Sequence, residues 1–149
     1  MTSQPVSATS RPPKHLWIVG GLSLVWNAFG AFDYAMTQFQ VEAYMSNFTA
    51  EQLDYFYGFP AWANAVWALG VWGAVAGSVG LLLKKAWAEW AFGISIVGLV
   101  GTSIYTMVLT DGTAIMGGPS VMIFSIVLWL ITIGLYVYSR AMARKGVLT

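Results

Sequence analysis

Four apolar runs of about twenty residues each, divided by short polar stretches, leave this sequence few ways to fold. They cover roughly 16–36, 60–83, 87–109 and 120–139. A helix of about 20 apolar residues spans the ~30 Å hydrocarbon core of a bilayer. In that medium every backbone N–H and C=O must be paired within its own segment or in a closed barrel, and runs this long and continuous select helices. Only 9% of the residues are charged, against about 25% in soluble domains. The expected architecture is an all-α integral membrane four-helix bundle that uses the whole chain, 1–149, as a single membrane domain.

The punctuation between the runs sets the topology. Residues 1–15, rich in Ser, Thr and Pro, read as a disordered tail. A cleaved signal peptide is the rival reading, with Arg11 and Lys14 as its basic end and Ala28-Phe29-Gly30 as a loose small-x-small site, but the run is too long and too aromatic for one. Loops 37–59 and 110–119 separate spans one from two and three from four. Within the first, Thr49-Ala50-Glu51-Gln52 fits a capping box, so a short amphipathic helix is expected there, with Phe48, Leu53, Phe56 and Tyr57 on one side. Pro60 and Pro119 suit helix starts, where a missing N–H costs nothing. The seven Lys and Arg residues all fall in the tail, the second loop or the C-terminal segment, and none in the two longer loops. The positive-inside rule then places both termini in the cytoplasm. The result is two helical hairpins in tandem, N-in and C-in. A weak correspondence between the halves aligns Trp17 with Trp90 and Gly20 with Gly93.

Gly70, Gly73, Gly77 and Gly80 recur at spacings of three and four in the second span, and Gly98 and Gly101 lie in the third. Such spacing puts the glycines on one helix face, where missing side chains let two backbones approach. That face is expected to pack against another helix of the bundle, with a partner or a second copy as the alternative. Trp67, Trp72 and Trp129, deep in their spans, are read as fillers of space in a glycine-rich bundle, with stacking on a sugar, a quinone or a pigment as the alternative.

Polar groups within the spans are costly and therefore informative. Asn27, Gly30 and Tyr34 share a helical face, Asp33 is nearly adjacent to it, and Asn64 lies one turn into the second span. At 1.5 Å per residue from Leu16, Asn27 is about 16 Å in and Asp33 about 25 Å. Asn27, Asp33, Tyr34 and Asn64 are the candidate ligand- or ion-binding residues, with interhelical hydrogen bonding as the competing role. Ser95, Thr102, Ser103, Thr106, Ser125 and Thr132 are weaker candidates, because such hydroxyls commonly bond back to their own helix. Glu89 is expected to pair with Lys84 or Lys85.

Several functions are disfavoured. There is no cysteine, so thiolate chemistry and Cys-ligated metals are absent. His15 is the sole histidine, and no metal constellation or Ser-His-Asp arrangement surrounds it. No cofactor is expected, nor any enzymatic activity. A net charge of +1 offers no basic patch for nucleic acid.

The segment from Trp26 to Tyr34 (WNAFGAFDY), followed by Phe59-Pro60-Ala61-Trp62 and a glycine-rich second span, resembles a family of small four-helix bacterial membrane proteins often labelled "sugar transporter". The similarity runs from about Leu16 to Lys145. It implies a bacterial inner membrane, which would make the Asn47-Phe48-Thr49 sequon irrelevant, and it carries no site residues across. The role expected from the residues is a non-catalytic accessory subunit that packs, through its glycine faces, against itself or other membrane subunits. The alternative is a small solute transporter or channel subunit acting as an oligomer, its solute a sugar or another small molecule.

Overall fold

The computed structural model describes residues 11–149; most of the expected N-terminal tail lies outside the described residues. Seven α-helices follow in order: α1 (Lys14–Gln38), α2 (Glu42–Met45), α3 (Ala50–Tyr57), α4 (Ala61–Leu82), α5 (Trp87–Ser103), α6 (Gly112–Met116) and α7 (Pro119–Arg144). A π-helical segment, Ile104–Leu109, continues α5. Four of these stretches, Lys14–Gln38, Ala61–Leu82, Trp87–Leu109 and Pro119–Arg144, are long and apolar enough to cross a membrane. The protein is thus an all-α, multi-pass membrane bundle.

α1 packs on α4, α4 on α5, and α5 on α7; the closest pairing is α4 with α5, across the two expected hairpins rather than within either. Glycine explains this. A Cβ placed on Gly98 would strike the backbone nitrogen of Gly70 and lie 2.8 Å from its Cα, so the two helices touch backbone to backbone. One turn away, Ser95 donates from Oγ to the Gly70 carbonyl at 2.6 Å. Toward the Leu83–Ala86 turn, the bare surface of Gly77 receives the ring of Phe92, and Gly80 receives Ala88 and Trp87. The α4 glycine face is thus consumed inside the chain.

α4 ends in a Schellman motif: Lys85 N–H reaches the Gly80 carbonyl at 2.8 Å and Lys84 N–H the Leu81 carbonyl at 3.1 Å. Lys84 sits at φ 57°, a left-handed position that usually belongs to glycine. The Thr149 N–H caps the Lys84 carbonyl at 3.0 Å, bringing the C-terminal segment onto this turn. The basic segments, those carrying Lys14, Lys84, Lys85 and Arg140 to Lys145, therefore gather at one end, here the terminal end. This end holds the packed core: Leu16, Leu81, Ala88, Phe92, Leu135, Met142 and Leu148. α7 runs five residues beyond the expected Ser139 because its last turns serve that core, with Met142 buried. Glu89 pairs with Arg140 at 3.7 Å, not with Lys84 or Lys85, since α7 passes beside the start of α5.

At the opposite, loop end the two long connections pack on each other. The capping box forms as expected: Gln52 N–H donates to Thr49 Oγ1 at 3.2 Å and Thr49 N–H to Gln52 Oε1 at 3.1 Å. The inward side differs from expectation at one position, because Tyr55 points in and Tyr57 is exposed. The Tyr55 hydroxyl shares a 2.8 Å hydrogen bond with Thr110 and rests against Gly112, where no side chain obstructs it. Gln52 Nε2 donates to the Ile115 carbonyl at 3.3 Å. These bonds clamp α3 onto the π segment and α6.

Candidate functional site

The packed core stops halfway along the bundle, and toward the loop end α1 and α7 draw apart, leaving a cavity of about 590 Å³ against the α4–α5 pair. Each spanning helix contributes one face at helical spacing. α1 supplies Asn27, Gly30 and Asp33; α4 supplies Trp67, Val71 and Ala74; α5 supplies Ser95, Leu99 and Thr102; α7 supplies Phe124, Leu128 and Thr132. Gly30 has no atom within 4 Å of where a Cβ would stand, so it helps leave this volume open. Beside the cavity α1 and α7 meet through the Trp26 and Phe124 side chains, with ring centroids 6.1 Å apart. Phe29 is 70% exposed and Phe124 53%, so this side of the cavity faces the lipid.

Two of the four candidate residues meet at this cavity. Asn27, 8% exposed, donates from Nδ2 to Ser78 Oγ at 3.0 Å and to the Ala74 carbonyl at 3.3 Å. This clasp ties α1 to α4 and leaves the amide oxygen without a partner among the described residues. Asp33 lies six residues, about 1.7 helical turns, nearer the loop end, where its Oδ1 accepts a hydrogen bond from the Tyr44 hydroxyl. Tyr34 faces elsewhere, edge-on to Trp67 with centroids 4.9 Å apart. Asn64 is also separate, accepting from Gln38 Nε2 at 3.0 Å and donating to the Phe59 carbonyl at 3.4 Å. Neither lines the cavity: Tyr34 follows Asp33 directly and so turns about 100° away from it around the α1 axis, and Asn64 lies in the first turn of α4.

Tyr44, on the four-residue α2, is a polar lining residue that the sequence did not single out. No motif marks it. The chain returns to α1 through a tight reversal at Gln40, φ 50°, and this sets Tyr44 against Asp33 and edge-on to Phe32, centroids 5.6 Å apart. The Tyr44 phenol is pushed up from 10.0 to about 12, chiefly by burial and then by its hydrogen bond to Asp33 and that carboxylate's charge. An acid whose folded pKa is raised lends stability below its unfolded pKa and loses it as the pH climbs through the folded one. The phenol's contribution to the α2–α1 contact is therefore fully present below pH 10.0 and is lost as the pH climbs toward about 12. An ultraviolet absorbance titration of wild type minus Tyr44→Phe is expected to show one phenol ionising near pH 12, and Asp33→Asn to move it toward 10.0. A difference curve centred at the lower value in both backgrounds would contradict this coupling.

The hydroxyls divide by location. Ser95, Thr102 and Thr132 reach the cavity, and the two threonines bond back to the Gly98 and Leu128 carbonyls at 2.9 and 2.8 Å. Ser103 instead accepts from Trp129 Nε1 at 3.1 Å, joining α5 to α7. Thr106 lines a second, shallower cavity of about 390 Å³ at the loop end, beside Thr110, Asp111 and Met122. Among the described residues, no three His, Cys, Asp or Glu side chains converge as a metal site. Comparison with protein-family models, with curated proteins and with solved structures finds no match.

Proposed function

We propose that this protein binds a small, largely apolar solute within the bilayer and acts as a solute carrier or carrier subunit. One observation carries this reading: a 590 Å³ cavity among all four spanning helices, walled mostly by aromatic and aliphatic side chains, with a few polar groups at set depths. Small-molecule sites have this character, at roughly 300–1,000 Å³. The wall favours an apolar solute over a sugar, whose hydroxyls would each need a partner that Val71, Leu99, Leu128 and Phe124 do not offer. The accessory-subunit reading drew on the glycine faces, the aromatic surface and the scarcity of charge within the spans; of these the glycines Gly70, Gly73, Gly77, Gly80, Gly98 and Gly101 all meet neighbours within this chain. The lipid-facing surfaces of α1 and α7 remain open to a second copy or another subunit. The clustering of Lys84, Lys85, Arg140, Arg144 and Lys145 at the terminal end supports cytoplasmic termini, and a bacterial inner membrane is the setting that accords with the sequence resemblance.

The test uses N-phenyl-1-naphthylamine, a neutral apolar probe, read by energy transfer from the protein's tryptophans in mild detergent. Saturable binding is expected in wild type. Filling the cavity with Val71→Phe and Thr102→Phe is expected to reduce it to the linear partitioning of empty micelles, with the melting temperature retained. Equal saturation in the filled variant would overturn the reading.

A further inference from the structure

The cavity has an electrical polarity as well as a shape, and it identifies the class of solute. Asp33 is the one carboxylate on its wall, and no Lys, Arg or His lines it. The basic residues lie at the far, packed end of the bundle. Tyr44 donates to Oδ1 of Asp33, and Oδ2 has no protein donor among the described residues. The Tyr44 ring, edge-on to Phe32, is held at this carboxylate by its hydroxyl, Phe29 lies one turn before Asp33 on α1, and Trp26 and Trp67 line the same cavity. Aromatic faces attract cations through the ring quadrupole, most strongly where water is excluded. Beyond them lie Val71, Leu99 and Leu128, which offer dispersion contact and no charge.

We propose that the solute is a lipophilic monocation, its single positive charge held between Asp33 and the neighbouring rings and its apolar body lying against α4, α5 and α7. This rests on the carrier reading above and narrows it. An anion would face Asp33 with no cationic partner to offset the repulsion. A dication would bring a second charge into an apolar wall with nothing to compensate it. The opening between α1 and α7 faces lipid, where lipophilic cations accumulate, so entry from the bilayer needs no aqueous path. Tyr44 competes for the same carboxylate: its hydroxyl donates to Asp33 Oδ1, and a bound cation takes over part of that role.

The experiment is displacement of N-phenyl-1-naphthylamine by tetraphenylphosphonium and by its anionic isostere, tetraphenylborate. Each ion is compared across variants in the same micelles, so that partitioning cancels. Asp33→Asn is expected to weaken tetraphenylphosphonium by about tenfold or more, relative to the neutral probe measured in the same variant, and to leave tetraphenylborate unchanged or tighter. Asp33→Glu is expected to keep cation binding. Tyr44→Phe, which frees the carboxylate, is expected to tighten it, and this variant carries the test should Asp33→Asn fail to fold. Unchanged tetraphenylphosphonium affinity in folded Asp33→Asn, or no gain in Tyr44→Phe, overturns the monocation assignment while the cavity reading stands. Absence of saturable neutral-probe binding in wild type removes both.

Discussion

Gly98→Ala will destabilise the bundle by about 3 kcal/mol or more, at or beyond the top of the usual range for overpacking, while Gly70→Ala will leave it near wild type. The two glycines face each other, yet the geometry is not symmetric. A methyl on Gly98 would enter the backbone of α4, meeting Gly70 N and lying 2.8 Å from Gly70 Cα. Backbone in a helix cannot step aside as a flexible side chain can, so α4 and α5 must separate. The Ser95 bond to the Gly70 carbonyl, one turn away, would be stretched with them. A methyl on Gly70 instead finds Leu99 N at 3.5 Å and Gly98 C at 3.6 Å, ordinary contact distances. Alanine also forms helix more readily than glycine, which offsets small strains. Denaturation of both variants in mixed micelles, followed by circular dichroism, checks the contrast. Equal effects at the two positions would show that the α4–α5 approach is looser than described.

Phe92→Ala is the second large loss expected, about 3 kcal/mol, near the low end for removal of a buried aromatic. Phe92 is fully buried, at the centre of the terminal-end core. Lipid tails are as apolar as the protein interior, so the cost comes mainly from lost dispersion contacts and the void rather than from transfer out of water. Its ring lies directly on Gly77, where an added Cβ would sit 2.7 Å from Cδ1 and Cε1. Gly77→Ala alone should therefore cost about 1–2 kcal/mol by crowding that ring. Combined with Phe92→Ala, the methyl enters the space the ring vacates, and the double variant should be about 1 kcal/mol more stable than the sum of the singles. Strict additivity would mean that Phe92 and Gly77 do not bear on each other.

Both effects concern contacts whose existence was legible in the sequence and whose partners were not. Glycine at spacings of three and four announced a face for close approach. Nothing in that spacing named α5 as the neighbour, because α4 could as readily have turned the same face toward α1, α7 or another chain. The four spans and the Thr49–Gln52 capping box were readable because they depend on local terms: mean hydropathy, which is +0.67 over the chain, and hydrogen bonds that close within four residues. The candidate site was half readable. Polar residues inside an apolar run stand out by their cost, and Asn27 and Asp33 do line the cavity. Tyr34 and Asn64 were grouped with them by depth alone, and depth leaves rotation about the helix axis undetermined.

Hydropathy and charge placement, both additive along the chain, sufficed to establish a four-span helical bundle whose basic segments share one end. Tertiary structure decided the rest: that α4 and α5 close on each other through Gly70 and Gly98, that the bundle packs at its terminal end and opens toward the loops, and that Tyr44 meets Asp33. Each of these depends on the rotation of one helix against another, which steric fit between distant residues sets and no local window of sequence contains.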